Sequence, residues 1–501
     1  MSTAGLPPPS LERIAAMARV CPTNHFVLFD KSAVEQSIPE RFQEQVHEYP
    51  NRVAIQAKNQ TATYSELNQT ANRIGRAILA QRQNGTNNVA LLLEKGVQMI
   101  AAMLGTLKAA GVYVPLDPVH PAARLGRIVD DAEAELIITN NRFLSLARQL
   151  AHNGRQVLNV DENQAHYSAE DIGLPIAPDT PCYILYTSGS TGEPKGVVQN
   201  HRNVLHNIMR HTNSLHLCAD DRFAVFASCA TAQSVTGIYG SLLNGGAVYP
   251  FDVREEGFTG LARWLSQNEI TVYHSSASVF RNFAEFLTSD EDFSKLRILK
   301  LSSEPVSRRD IELCRQHFSD NCIFVNTLAS TESGVVCDYM MDKSTVIRGN
   351  IVPVGFPFED MHVRLRDDSG IEVGPDAVGE ICIESAYLSP GYWHRPDLTS
   401  RAFSPNATAN GKSTYRSGDL GRFDREGCLT FLGRKDSRVK IRGFTVEIGE
   451  VEAALRNLAN IAEVAVAAQD SGGTLRLVAY IAPRQKQALS VATLRRQLSE
   501  V

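Results

Sequence analysis

Residues 183–198 read YILYTSGSTGEPKGVV, and the fold turns on what this stretch is. The apolar run Tyr183–Tyr186 stops abruptly, and Thr187, Ser188, Gly189, Ser190, Thr191 and Gly192 follow. Glu193, Pro194, Lys195 and Gly196 come next, and apolar residues resume at Val197. Glycines let a backbone approach an anion closely, and successive amides with hydroxyls can surround phosphate oxygens. Lys195 would add a countercharge. The common GxxxxGK[ST] pattern is not met, because no hydroxyl residue follows Lys195. On composition alone the segment could equally be a plain loop.

Outward from this loop the chain alternates strand with helix. RVAIQAK (52–58) alternates like a strand, and 63–81 carries Leu67, Ala71, Ile74, Ala77 and Ile78 at helical spacing. NVALLLE (88–94), AELIITN (134–140), RQVLNVD (155–161) and CYILYTS (182–188) are short apolar runs between helical segments. Such a series predicts parallel sheets with helices on both faces, and ligands at the C-terminal strand ends. Loop 187–196 lies at such an end.

A chain of 501 residues exceeds one ordinary core, so two or more domains or subdomains are expected. A net charge of −5 with no basic stripe argues against nucleic acid as a partner. Nine cysteines without a CxxC pair suggest neither a disulfide framework nor a zinc site, and fit a reducing, cytoplasmic setting. The N-terminus lacks the pattern of a secretory signal, and the apolar stretch 97–116 is too interrupted for a membrane span.

YTSGSTGEPKGV closely resembles the phosphate-binding loop of adenylate-forming enzymes, in particular the adenylation domains of nonribosomal peptide synthetases. TYSEL (63–67), LKAAGVYVPLDP (107–118), NTLASTE (326–332), VGEICIES with GYW (378–393), YRSGDLGR (415–422) and GRKDSRVKIRGFTVEIGEVE (433–452) follow in that family's order. The resemblance implies an α/β adenylate-forming fold. After an N-terminal extension (1–35), a large domain of helix-flanked sheets (36–435) would end in a small β-barrel-like part near 345–435. A partial α+β lid (436–501), hinged at Asp436, would follow.

It also implies a two-step reaction using ATP and Mg²⁺. A carboxylate attacks the α-phosphorus, and the acyl group then passes to a phosphopantetheine thiol on a partner carrier domain. Thr187, Ser188, Gly189, Ser190, Thr191, Gly192 and Lys195 would hold the β- and γ-phosphates. Thr331 would touch the α-phosphate, Glu332 would bind Mg²⁺, Asp419 and Arg434 would hold the ribose, and Asn326 would meet adenine. Read without the resemblance, Glu332 is also a candidate helix-start carboxylate, and Asp419 a turn residue.

Two departures from the family pattern stand out. Leu328 replaces the aromatic residue that stacks on adenine, a loss of roughly 1 kcal/mol. Ala232 stands where amino-acid-activating members carry the Asp that pairs with the substrate's α-ammonium. An unpaired buried charge costs several kcal/mol, so the expected substrate is a small carboxylic acid without that amine. By the same alignment Gln233, Thr236, His274, Lys300, Ser302, Thr327, Val335 and Val336 line the acyl pocket. Lys300 would meet a second acidic or carbonyl group on the substrate, reach solvent, or pair with a protein carboxylate. His274 is either a hydrogen-bonded wall residue or a substrate contact.

Family members continue past the segments matching LVAYIAP and LRRQLSE to an Asn-Gly-Lys motif whose Lys bridges carboxylate and α-phosphate. The sequence reaches Val501 before such a motif, so the catalytic Lys is expected to be missing from an excised piece. The function expected is acid activation for a carrier protein in nonribosomal peptide or hybrid natural-product biosynthesis. An acyl-CoA ligase and a degenerate nucleotide-binding scaffold are the alternatives.

Overall fold

The structure is a computed structural model. It describes residues 20–82, 87–152, 154–162, 166–188, 194–288, 291–405, 411–435, 438–441, 444–448, 451, 455, 458, 461–471, 474–483 and 490–499. Two large sheets carry most of the chain. In the first, the strands Asn88–Leu92, Val112–Pro115, Leu136–Thr139, Gln156–Asn159 and Pro181–Ser188 run parallel. In the second, Val53–Gln56, Arg222–Val225, Ala247–Pro250, Val272–Ser276, Ile298–Ser302 and Ile323–Ser330 do the same.

Helices Tyr64–Gln81, Val97–Lys108, His201–Leu215 and Ala232–Leu242 share one core with both sheets. Leu67, Ile100, Leu205 and Ile238 pack in the same apolar cluster as Val89, Leu91, Phe223 and Val272. The periodic segment 63–81 and much of the apolar stretch 97–116 thus become buried helices, the first started by a Thr63–Glu66 capping box.

Neither sheet is purely parallel, and two of the antiparallel returns carry candidate site residues. Pro194–Asn200 returns antiparallel beside Pro181–Ser188, and Gly391–Tyr392 adds antiparallel to it. Gly334–Met341 likewise folds back on Ile323–Ser330. The strand–helix alternation expected from sequence therefore gives way to hairpins at both places where the chemistry-bearing motifs lie.

The part expected as barrel-like is a five-stranded antiparallel sheet. Its order is His362–Arg366, Val378–Ser385, Ser413–Phe423, Phe403–Pro405, with Leu429–Arg434 also paired to Ser413–Phe423. Among the described residues no pairing closes it into a barrel. Beyond it come the hairpins Arg438–Ile441/Phe444–Glu447 and Ile461–Ser471/Thr474–Pro483, then the helix Val491–Ser499. Leu455, Leu458, Ile461, Val464 and Val466 give this C-terminal part its own small core. Asp436 lies outside the described residues. Among them, no helix is long and apolar enough to cross a membrane.

Candidate active site

The hairpin Pro181–Ser188/Pro194–Asn200 pairs Thr187 with Lys195 and Ser188 with Pro194, so the two ends of the quoted stretch are antiparallel strands side by side. Gly189, Ser190, Thr191 and Gly192 lie outside the described residues. Gly196 is needed for packing: a Cβ there would meet Ile184 Cγ2 at 2.6 Å. Its carbonyl accepts a hydrogen bond from the Trp393 N–H at 2.8 Å, which helps fix the Gly391–Tyr392 strand alongside. Tyr392 sits opposite Val197, diagonal to Lys195 on the same face.

That register puts three side chains together. The Lys195 ammonium, buried, lies 3.4 Å from Glu332 Oε1 and 2.9 Å from the Tyr392 hydroxyl. The hydroxyl donates to the same Glu332 oxygen at 2.9 Å, and Lys195 Nζ stands 4.1 Å from the centre of the Tyr392 ring. Beside them Thr187 Oγ1 is buried without a hydrogen-bond partner among the described residues.

Glu332 reaches this cluster from the tight connection between Ile323–Ser330 and Gly334–Met341. No helix starts there, so the helix-start alternative falls away. The tip is held by Gln199, whose amide donates to the Thr331 carbonyl at 2.8 Å, and by Ser389 N–H on the Glu332 carbonyl at 2.8 Å. Thr331 thus sits beside Glu332 and against the Pro194–Asn200 strand.

The acyl-pocket candidates come from five elements. Ala232, Gln233 and Thr236 occupy the first turns of helix Ala232–Leu242, capped by Thr231. His274, Lys300, Ser302 and Thr327 stand on adjacent parallel strands, with His274 level with Lys300 and Lys300 with Val325. Lys300 is fully buried and pairs with Asp338 at 3.3 and 3.4 Å, while Thr327 Oγ1 donates to Asp338 at 2.5 Å and Ser214 at 3.4 Å. Of the alternatives open for Lys300, the protein carboxylate is the one realised. His274 bonds Ser302 at 2.9 Å.

Burial, opposed by Asp338, lowers the Lys300 pKa. Burial and the nearby Lys300 hold His274 and His211 well below the usual histidine range. His211 is therefore neutral and accepts from Lys300 at Nδ1, 3.4 Å away, which leaves its proton on Nε2. That Nε2 and Gln233 Nε2 are buried donors without partners among the described residues. Helix His201–Leu215 turns Asn207, Arg210, His211 and Ser214 toward this region; Asn207 bonds both Thr236 and the Val335 N–H, and Arg210 donates to the Val335 carbonyl. A bulge at Val335–Cys337 instead packs Val336 and Cys337 with Leu328.

Asp419 and Arg434 are register partners on neighbouring strands and form an ion pair at 2.5 Å. The Asn326 amide donates to the carbonyls of Val352 and Pro353 at 3.1 and 2.9 Å, pinning the chain that leads into the small sheet. One apolar cluster joins these pieces: Val197, Leu328, Val336, Tyr392, Tyr415 and Leu429 pack together.

The family model for AMP-binding enzymes matches residues 42–393. The chain belongs to the AMP-binding enzyme family. Among relatives of this AMP-binding enzyme, tyrocidine synthase 1 from Brevibacillus parabrevis is 30% identical over 457 residues, 90% of this chain and 41% of that protein. The dimodular nonribosomal peptide synthase of Bacillus subtilis (strain 168) is 31% identical over 513 residues, 98% of this chain and 21% of that protein. The chain thus spans less than half the length of these relatives. In fold it resembles NpsA-ThdA, an artificially fused adenylation–PCP di-domain from Klebsiella oxytoca, with TM-score 0.81, 23% identity, and 93% and 84% of the two chains covered. It also resembles the o-succinylbenzoate CoA synthetase MenE of Bacillus subtilis, with TM-score 0.79, 20% identity, and 93% and 92% covered.

Two residues of the AMP-binding enzyme's site escaped the reading of its sequence. Tyr392 lay in plain view in GYW without a role. Asp338 was signalled only through the demand of buried Lys300 for a partner, and its cross-strand position opposite Thr327 supplies one.

Proposed function

We propose that this chain activates a carboxylic acid without an α-ammonium as its acyl-adenylate, for transfer to a phosphopantetheine thiol on a carrier domain. The observation that carries the substrate reading is the state of Asp338. It is the carboxylate found beside the candidate acyl pocket, and Lys300, Thr327 and Ser214 already occupy its oxygens. Ala232, at the helix start, offers an ammonium only a methyl group. Buried donors on Gln233 and His211 favour an acid with an acceptor oxygen, such as a 2-hydroxy or 2-keto group.

In this reading the substrate carboxylate oxygen forms a bond to the α-phosphorus, the α–β anhydride breaks, and pyrophosphate leaves. Lys195 would donate to phosphate oxygens in a buried, weakly screened setting, and Thr187 would give its unpartnered hydroxyl. Thr331, whose carbonyl Gln199 holds, would make the α-phosphate contact. Glu332 offers the hard oxygen that Mg²⁺ prefers, so the residues present fit that ion. Bound Mg²⁺ supplies neutralisation of phosphate charge. Asp419, held by Arg434, would accept from the ribose hydroxyls. Coenzyme A carries the same phosphopantetheine thiol, and acceptor preference separates that reading.

The deciding experiment is ATP–pyrophosphate exchange across matched pairs of acids, run on the protein extended C-terminally through the expected Asn-Gly-Lys motif. A 2-hydroxy or 2-keto acid is expected to outrun its α-amino counterpart, and Ala232→Asp to narrow or reverse the order. An α-amino acid giving the highest rate in the unaltered pocket would sink the substrate assignment. For the nucleotide, Asp419→Ala should weaken AMP by about 10-fold or more, as for a charge-assisted hydrogen bond, and spare tripolyphosphate. Equal losses for both ligands would rule out a ribose role.

A further inference from the structure

We propose that Tyr392 is a positioning residue of the phosphate site: it lets Lys195 and Glu332, which hold each other in the free protein, part toward phosphate and metal. The inference rests on the phosphate-binding role of the Thr187–Lys195 hairpin.

The direct Lys195–Glu332 contact is long, 3.4 Å, whereas the Tyr392 hydroxyl is 2.9 Å from each. A tyrosine hydroxyl has one hydrogen and two lone pairs. Here the hydrogen goes to Glu332 and a lone pair receives Lys195. Both charges are buried, and separating a buried pair strands each of them unless another group takes over. The hydroxyl meets that need from one fixed point, and the ring face below the ammonium adds a cation–π contact.

Tyr392 is itself held firmly. Its N–H donates to Thr399 Oγ1 at 3.0 Å, and Thr399 in turn donates to the Arg395 carbonyl at 2.9 Å. Ser389 Oγ receives the Gly391 N–H at 3.0 Å and reaches the Val198 carbonyl at 2.7 Å. Gly391 has φ +135°, and a Cβ there would meet Thr399 Cγ2 at 2.5 Å, so the approach of this strand depends on glycine. The ring stands edge-on to Phe403, with centroids 5.7 Å apart. A side chain fixed this well can act as a stationary relay while its two partners move.

Calorimetry with tripolyphosphate and with adenosine tests the role. Tyr392→Phe keeps the ring and removes only the hydroxyl. In Mg²⁺, its tripolyphosphate Kd is expected to rise about 10-fold, as for loss of a hydrogen bond to a charged group. Its adenosine Kd should stay within about twofold, because adenosine has no phosphate for Lys195 to meet. Glu332→Gln frees Lys195 from its carboxylate, so without Mg²⁺ tripolyphosphate should bind several-fold tighter than to the unaltered chain. Unchanged tripolyphosphate affinity in Tyr392→Phe, or an equal fall for adenosine, overturns the role. Should Tyr392→Phe fail to fold, the Glu332→Gln arm decides, and unchanged or weaker Mg²⁺-free binding overturns it. If the unaltered chain binds no tripolyphosphate at all, the phosphate assignment of the hairpin fails, and this inference with it.

Discussion

Asp338→Ala is expected to lower the unfolding free energy by about 3–5 kcal/mol, the usual cost of stranding one member of a buried ion pair. The Lys300 and Asp338 side chains are 1% and 4% exposed, so water cannot replace the lost partner. Lys300 would retain the neutral His211 nitrogen, and Thr327 and Ser214 would lose their acceptor. The loss has a defined pH dependence. Burial already lowers the Lys300 pKa, and removing the carboxylate that raises it lowers it further. A base whose folded pKa lies below its unfolded value destabilises most where both states are protonated. The deficit should therefore be full at low pH and shrink as pH climbs toward the ordinary lysine value of 10.5. Adding Lys300→Met to Asp338→Ala should recover at least half the loss, because the buried charge goes too. Urea melts of the single and double variants measure this, and simply additive losses would show that the two residues are not coupled.

Lys195→Met is expected to slow adenylate formation about 100–1000-fold, the range for removing one preorganised charge donor from a reacting phosphoryl group. Methionine fills much of the same volume, so the Tyr392 ring keeps a neighbour. What is lost is the ammonium, in a site buried enough for its field to be weakly screened. ATP–pyrophosphate exchange at saturating acid reads the rate, and calorimetry reads the accompanying loss of ATP affinity. An exchange rate within about threefold of the unaltered chain would place the phosphate elsewhere. The urea midpoint serves as the control, since a fall there would trace the loss to Glu332 left without its cation.

Much of this was legible in the residues. Helical periodicity located Tyr64–Gln81 and Val97–Lys108, and the short apolar runs located the parallel strands. Lys195 and Glu332, 137 positions apart, meet as a phosphate–metal reading of their motifs would require. The antiparallel returns were not legible. GVVCDYMM is as apolar as the strand it folds back on, PKGVVQN carries no mark of direction, and direction depends on where the turn sends the chain. The roles of Asp338 and Tyr392 were hidden for a related reason. Each is defined by a cross-strand neighbour, Thr327 for one and Val197 for the other, and single-sequence periodicity carries no register between distant strands.

The apolar cluster beneath the site also governs how the protein can be dissected. The family match ends at residue 393, which invites trimming the chain there. Tyr415 and Leu429 come from beyond that limit, yet they pack on Val197, Leu328 and Tyr392. A fragment cut at the match would bare the underside of the Pro181–Ser188/Pro194–Asn200 hairpin to water and lose Asp419 and Arg434 with it. The smallest piece able to keep the candidate site together must therefore run through Arg434, the end of the strand that brings Leu429 into this cluster.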